Sequence, residues 1–370
     1  MNEGEGDPKR RKKYALVKSR IFLVNLLLVT CALIVFEIQF AGPLASFTGK
    51  AYSNYYAVRL VFAAAFFTYL YLVQLPLRMI GSFYIEHAYD LSRQSLSDWI
   101  KDEVKSTILS SLLTFACIAG LYFILRNFEQ LWWLFCAIAW IMVSVGLTRI
   151  LPVFIIPLFY KYLPLQDESL KEKIIKLSNR EGVDIEDISL IDLSRKTRKA
   201  NAALVGLGKT RKVIISDTLK EKFTNEEIEA VVAHEFGHLK YRHIHKLLLF
   251  SGISTFLVFY AAYLMINRIV TESGAAGADD PIIFPYFFGI MFLMGIILLP
   301  LKNLFSRILE READMFALKA IDNSENFVSV MKKLAEMNLA DTDPSKLRKV
   351  FLYDHPPISE RIRMGEEFEG

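Results

Sequence analysis

The sequence predicts a mostly α-helical chain that crosses a membrane about six times and carries a folded module with a small β-sheet. Three observations predict this. Hydrophobic residues make up 53% of 370 positions, with 28 Phe, and the mean hydropathy is +0.30, too apolar for an ordinary soluble chain. The apolar residues gather into six blocks nearly free of charge: 21–40, 60–77, 107–125, 131–147, 247–266 and 282–301. A charged stretch separates the fourth block from the fifth and ends in VVAHEFGHLKYRHIHK, Val231 to Lys246.

Each block is close to the roughly 20 residues that a helix needs to cross about 30 Å of hydrocarbon. The first follows a basic tail with KRRKK from Lys9 to Lys13, then Lys18 and Arg20, which holds the N-terminus on the cytoplasmic side. Counting outward, 81–106 with Arg93, Lys101 and Lys105 falls inside, as does Lys161 to Lys246, while the acidic turn TESGAAGADD (271–280) falls outside. No cleaved signal peptide is expected, because the first block is long and no small-residue cleavage site follows it. The expected organisation is a tail over 1–20, disordered at its start; a membrane domain over 21–158; a module over 159–246; two further spans over 247–301; and a helical C-terminal part over 302–370, broken at DHPP. Cys31, Cys117 and Cys136 all lie in proposed spans, so burial explains them better than a disulfide framework. Arg59, Arg78 and Glu37 are polar within or beside spans and read as snorkelling or interfacial groups.

A Pro-punctuated stretch, LPVFIIPLFYKYLPL, leads into the module. Asp167 to Glu181 reads as a charged amphipathic helix, and ISLIDLS, ANAALVGL and KVIISDTL read as three short strands. Gly208 to Arg211 suit a hairpin connection between the last two.

Thr224 precedes Glu227 by three residues, the spacing of a capping box at the start of a helix with an acidic first turn. Along that helix His234 and His238 differ by about 40° and lie one turn apart on one face, which lets two imidazoles grip one ion. Glu235 projects in an adjacent direction, near the ion but outside its coordination. The small apolar residues AVVA before His234 suggest a buried helix, where two neutral histidines and a glutamate are costly without a partner. A tetrahedral ion with an open position needs one more ligand. His243 and His245 each miss by one residue the slot that an extended His-Glu-x-x-His-x-x-Gly-x-x-His pattern would fill, and they read as polar residues near the membrane surface. The third ligand must come from farther along the chain. In SRILEREADMFALKAI, Glu310 and Asp314 are four apart and share a helix face, while Glu312, about 200° from Glu310, points elsewhere. Glu310 would close the site, with Asp314 anchoring a ligating histidine from behind.

HEFGH followed by SRxxExxAD resembles the type I CaaX prenyl protease family of integral membrane zinc metallopeptidases, a gluzincin group that includes the bacterial heat-shock membrane proteases. IIPLFYKYLPL, ANAALVG, ISDTL, ADMFA and HPPISERI are similar to that family too, and the likeness runs from about Leu75 to Arg361. The resemblance implies a gluzincin-like module holding one Zn2+, with His234, His238 and Glu310 as ligands, Glu235 as general base and Asp314 behind a ligand. It implies that Asn201, Ala202 and Gly206 lie on a strand that pairs with an extended substrate, and that His355 and Arg361 steady the oxyanion. The early Glu-Glu-Lys-x-Gly-Phe-Asn run of prenyl proteases is only partly matched: Glu86 agrees, while Asp90 and Ser92 replace the Gly and Asn. Eukaryotic members are described with seven spans against the six read here.

The function expected is therefore that of a membrane zinc metalloendopeptidase acting near the C-terminus of prenylated CaaX-type substrates. The alternatives are a quality-control protease of the bacterial heat-shock kind and, more remotely, a non-catalytic scaffold with a structural metal. The expected partners are a peptide or protein substrate and the lipid bilayer, with no nucleic acid, and the sequence leaves the oligomeric state open. The module and N-terminus are expected on the cytoplasmic side, at an inner membrane if prokaryotic and an ER membrane if eukaryotic.

Overall fold

The computed structural model describes residues 7–206 and 211–368. Positions 208–210 of the expected hairpin connection lie outside the described residues. Among the described residues, six helices are long and apolar enough to span a membrane: α1 (Pro8–Ala51), α2 (Tyr55–Ala88), α3 (Leu96–Asn127), α4 (Trp132–Phe159), α8 (His243–Ser273) and α9 (Ile283–Ala320). Each covers one of the six apolar blocks to within one residue. The basic run Lys9 to Lys13, expected as tail, is the first turns of α1, started by Asp7, whose side chain accepts the Lys9 amide, and by Pro8. Stretches of π-helix interrupt α1, α2 and α4 at Phe36–Ala41, Ile80–Tyr84 and Leu151–Ile155.

Arg59 and Arg78 do not simply snorkel. Arg59 pairs with Asp279 at 2.7 Å and Arg78 with Glu103 at 2.8 Å, so each charge near a span end is matched by one on another element. The membrane core is aromatic: Phe36, Phe62, Phe66, Tyr122, Trp132 and Phe284 are buried together.

Outside the spans lie β1 (Tyr162–Pro164), α5 (Glu168–Glu181), β2 (Asp187–Ile191), β3 (Ala202–Val205), β4 (Lys212–Ser216), α6 (Asp217–Lys222) and α7 (Asn225–Lys240). After α9 come α10 (Ser324–Met337), α11 (Lys346–Leu352) and α12 (Ile358–Glu366). The strands form one sheet in the order β1-β2-β4-β3, with β2 parallel to β4 and the outer pairs antiparallel. Three strands fall where alternation places them. The fourth, β1, lies in the Pro-punctuated stretch, where three residues are too few to show a period. β3 is an edge strand, and its free edge leaves backbone groups open to pairing.

α7 is the centre of this second core. Ile228, Val232, Ala233 and Phe236 are fully buried against Leu170 and Ile174 of α5, Val213 and Ile215 of β4, and Phe327 and Val330 of α10. Burying one side chain the size of Phe236 contributes about 1.5–3 kcal/mol. α9 joins the two cores. It runs unbroken through Pro300 to Ala320, so the helix that leaves the membrane at Leu301 also carries Glu310, about 14 Å farther along its axis.

Candidate metal centre

α7 begins as its sequence dictates. Thr224 Oγ1 accepts the Glu227 amide at 3.3 Å, and Glu227 Oε2 accepts the Thr224 amide at 2.8 Å, which satisfies two of the helix's unpaired donors. The buried Glu227 is also bonded by Ser329 and Lys333 of α10, at 2.6 and 2.7 Å. The start of the helix is thereby fixed to the C-terminal part of the chain.

Within the last turn before its end, α7 meets α9. Gly237 makes this possible: a Cβ there would stand 3.0 Å from the Cα and 3.1 Å from the carbonyl oxygen of Ala313. The close approach brings together His234, His238 and Glu310, whose ligand atoms lie within 4.8 Å of one another. Nε2 of His234 is 3.1 Å from Nε2 of His238, and Glu310 lies 3.3 Å from the first and 3.4 Å from the second. Ligands bonded to one tetrahedral zinc at about 2.0–2.2 Å stand at about this separation.

The partners of the far ring nitrogens decide the tautomers. Nδ1 of His234 lies 2.8 Å from Asp314 Oδ1, and although the approach is off the line of a hydrogen bond, the adjacent carboxylate favours the proton on Nδ1. His243, at the start of α8, places Nε2 3.0 Å from Glu312 Oε2 and Nδ1 2.9 Å from Nδ1 of His238. Its Nε2 therefore donates to Glu312 and its Nδ1 accepts from His238. Both Nε2 lone pairs then face Glu310, whose buried Oε2 has no hydrogen-bond donor. Three electron-rich atoms aimed at one point need a cation between them, and the donor set of two imidazoles and a carboxylate suits zinc.

The charges agree. Burial, with repulsion from His234, lowers the pKa of His238 to about 4, leaving it neutral at pH 7. Burial would also lower His234, but the Asp314 and Glu310 carboxylates hold it up at about 9, so a cation taken by its Nε2 displaces a proton. Burial and the nearby Glu310 carboxylate raise Glu235, against a lowering by His234 and by a hydrogen bond to the Leu204 backbone in β3. A carboxyl raised toward neutrality is suited to passing protons.

His243, set aside as a surface residue, is 1% exposed and stands directly behind His238. Its place is set by Arg242, whose φ of 54° ends α7 and turns the chain so that α8 starts over the site. Tyr241 stacks on it, with ring centroids 5.9 Å apart. His245 stays exposed, in keeping with the reading given to it. Glu312 does point away from Glu310, toward His243 and Lys246.

His355 lies just past α11 in the DHPP segment. Its Nε2 is 3.4 Å from Glu310 Oε2 and its Nδ1 2.9 Å from Asp354 Oδ1, while its side chain remains 54% exposed, as a group lining an open face must. The Asp354 carboxylate, ahead of Glu310, raises its pKa against the effect of burial. Arg361, on α12, donates from Nε and Nη2 to the two oxygens of Asp314 at 2.8 and 2.5 Å, so both of these nitrogens face Asp314. Ala202 opens edge strand β3, Asn201 directly precedes it and Gly206 follows it with φ 91°, a conformation that favours glycine. Glu86, the matched residue of the early motif, accepts from Tyr14 at 2.7 Å and from Lys18 and Lys199 at 2.9 Å each. It ties α1 and α2 to the loop that leads into β3.

Six membrane helices and a His-Glu-x-x-His helix closed by a distant glutamate define an integral membrane metallopeptidase. Residues 5–161 match the family model described as CAAX prenyl protease N-terminal, five membrane helices, and residues 164–368 match peptidase family M48. The chain belongs to peptidase family M48, and it is a membrane metallopeptidase of the CAAX prenyl protease type. In the N-terminal match this chain has four long apolar helices where the model's description has five. It is 32% identical to CAAX prenyl protease 1 of Saccharomyces cerevisiae over 79% of this chain and 68% of that one. It is 29% identical to the Arabidopsis thaliana CAAX prenyl protease 1 homolog over 96% and 86%, and 29% identical to the uncharacterized metalloprotease YhfN of Bacillus subtilis over 80% and 71%. The crystal structure of S. mikatae Ste24p superimposes with a TM-score of 0.85 at 25% identity, over 99% of this chain and 91% of that one.

Proposed function

We propose that the metal is zinc, one ion per chain, held by His234, His238 and Glu310, and that the enzyme cleaves near the C-terminus of prenylated CaaX-type substrates. The observation that carries the metal assignment is the triangle of Nε2, Nε2 and carboxylate at 3.1–3.4 Å, with both imidazole protons committed on the far side. Bound there, zinc would supply a Lewis acid for the scissile carbonyl and a water made acidic enough to attack it.

The chain's own groups do the rest. Glu235, beside His234 on α7 and raised in pKa, takes the proton of the attacking water and passes it to the leaving amine. The free edge of β3, from Asn201 through Ala202 to Gly206, pairs with the extended substrate by main-chain hydrogen bonds and so tolerates varied side chains. That strand also touches Glu235 through the Leu204 backbone, so the paired peptide lies next to the general base. His355, exposed toward the open face and with its cationic form favoured by Asp354, steadies the oxyanion. Arg361, expected to share that task, acts instead through Asp314, which fixes the ring of His234.

The prenyl specificity rests on the named activity of the yeast and plant relatives. We place the metal centre and the N-terminus on the cytoplasmic side, because the basic residues of Lys9 to Lys18 and Lys161 to Lys246 lie on one side of the spans. The test is a zinc-replete digest of a farnesylated CaaX peptide and its unmodified counterpart, with product masses, repeated with a chelator. The farnesylated peptide should be cut faster and the chelator should stop both reactions. Equal rates would defeat the prenyl specificity in favour of a quality-control protease, and cleavage that survives the chelator would defeat the metal role.

A further inference from the structure

α11 is inside out for a helix at the surface of a water-soluble module. Leu347, Val350 and Phe351 share one face at the spacing i, i+3, i+4, and all three are exposed, Leu347 at 74%. The opposite face is polar and turned inward. Arg348, with a side chain 14% exposed, donates to Asp341 at 2.7 Å, to the Ser19 hydroxyl at 3.1 Å and to the Tyr353 hydroxyl at 3.2 Å. Lys349 is paired with Glu360. A helix that turns Arg348 and Lys349 inward and shows its leucine is built for surroundings other than water.

What those surroundings are follows from the two spans that hold α11. Asn303 Nδ2 donates to the carbonyl of Phe351 at 2.9 Å, and Arg307 Nη1 donates to those of Lys349 and Tyr353 at 2.9 and 2.6 Å. Asn303 and Arg307 lie about 3 and 9 Å along α9 beyond Leu301, the last residue of its apolar block. Ser19, the contact on α1, lies two residues before that helix's apolar block begins at Ile21. The Asn303 and Ser19 contacts place α11 at the level where hydrocarbon gives way to headgroups, a layer about 5–8 Å deep on each side of the bilayer, with Arg307 at its outer edge.

We propose that α11 is an interfacial anchor whose Leu347, Val350 and Phe351 face is covered by the headgroup layer of the bilayer, on the same side of the membrane as the metal centre. Its C-terminal carbonyls are held by α9, and two residues past Tyr353 the chain reaches His355. The membrane surface thus becomes one wall of the segment that carries His355. The apolar face contacts lipid and Lys346, exposed at its start, faces the phosphates, as in other in-plane amphipathic helices.

The test uses the full chain in phosphatidylcholine vesicles. Cys31, Cys117 and Cys136 are replaced by serine, and a nitroxide is attached in turn to Leu347→Cys, Phe351→Cys, the lipid-facing Ile297→Cys and the exposed module residue Lys319→Cys. Power saturation compares collisions with oxygen and with a water-soluble nickel chelate, and bound metal is measured to confirm folding. Labels at 347 and 351 should show an oxygen-to-nickel ratio well above that of Lys319→Cys and below that of Ile297→Cys. A ratio equal to that of Lys319→Cys would overturn the proposal. Dipolar broadening at 347 that vanishes on dilution with unlabelled protein would also overturn it, by showing a second copy of the chain on this face.

Discussion

Gly237 lies so close to Ala313 that an added Cβ would stand 3.0 Å from the Ala313 Cα and 3.1 Å from the Phe316 Cβ. The obstacle is backbone on one side and the root of a side chain on the other, so neither can swing away. In Gly237→Ala the two helices must separate, and they carry His238 and Glu310. The variant should lose about 1–3 kcal/mol of stability and bind zinc more weakly. A melting temperature and metal affinity equal to those of the parent would show that the contact is not tight.

In the proposed mechanism Glu235 moves protons rather than binding the ion. Glu235→Gln keeps the shape of the side chain and removes its basicity, so it should retain stoichiometric zinc while kcat falls by about 100- to 10,000-fold. Metal analysis and peptide turnover on the same sample separate the two effects. Full activity would remove Glu235 from the mechanism.

Asp314 has to be a carboxylate because it both lies 2.8 Å from His234 Nδ1 and balances Arg361 at 2.5 Å. Asp314→Asn can satisfy the ring only by one oxygen and leaves the Arg361 cation buried without its counter-charge. Zinc affinity should drop about 10- to 100-fold, measured by competition with a chromophoric chelator, and stability should fall with it. Arg361→Lys, which keeps the charge but loses the two-pronged fit, should weaken zinc less than Asp314→Asn does. If Arg361→Lys left zinc affinity untouched but abolished turnover, Arg361 would be acting on the substrate after all.

His243 tests the tautomer argument, because it fixes the proton of His238 on Nδ1. Replacing it with Leu should lower zinc affinity by about tenfold, while the same change at the exposed His245 should leave affinity unchanged. Equal effects at the two positions would mean that the contact at 2.9 Å does not orient the ligand.

How these residues could be found beforehand differs in physical kind. The spans, the Thr224 cap and the pairing of His234 with His238 are local: they follow from hydropathy, from a three-residue cap spacing and from helical pitch. Glu310 and Asp314 were legible because both sit on one helix face, although only the resemblance said that this face meets α7. His243 was not legible, since its position depends on a left-handed residue at Arg242 that ends one helix and begins another. A count of spacings along a continuous helix places it on the wrong side. β1 escaped because three residues, one of them Pro164, carry no alternation. The exposed face of α11 was hidden for a related reason: KLRKVFL reads as an ordinary amphipathic helix, and only its contacts reveal which side is turned inward.

The pH dependence of turnover should report on His355. The Asp354 carboxylate at 2.9 Å raises its pKa, burial opposes this and Glu310 adds to the rise. A raised pKa means that the cation is present at low pH and is lost as pH climbs through it, so the oxyanion contact should fail on the alkaline side of the profile. Asp354→Asn removes the charge-assisted hydrogen bond that supports the cation most. The alkaline limb of kcat/KM should then move to lower pH by about one pH unit, the low end for one nearby charge at a half-exposed site. In the proposed mechanism the acid limb belongs to Glu235, a separate group on α7, and should stay where it is. If both limbs moved together, Asp354 would be acting on the whole site rather than on His355. If neither moved, His355 would not be the group that must carry a proton.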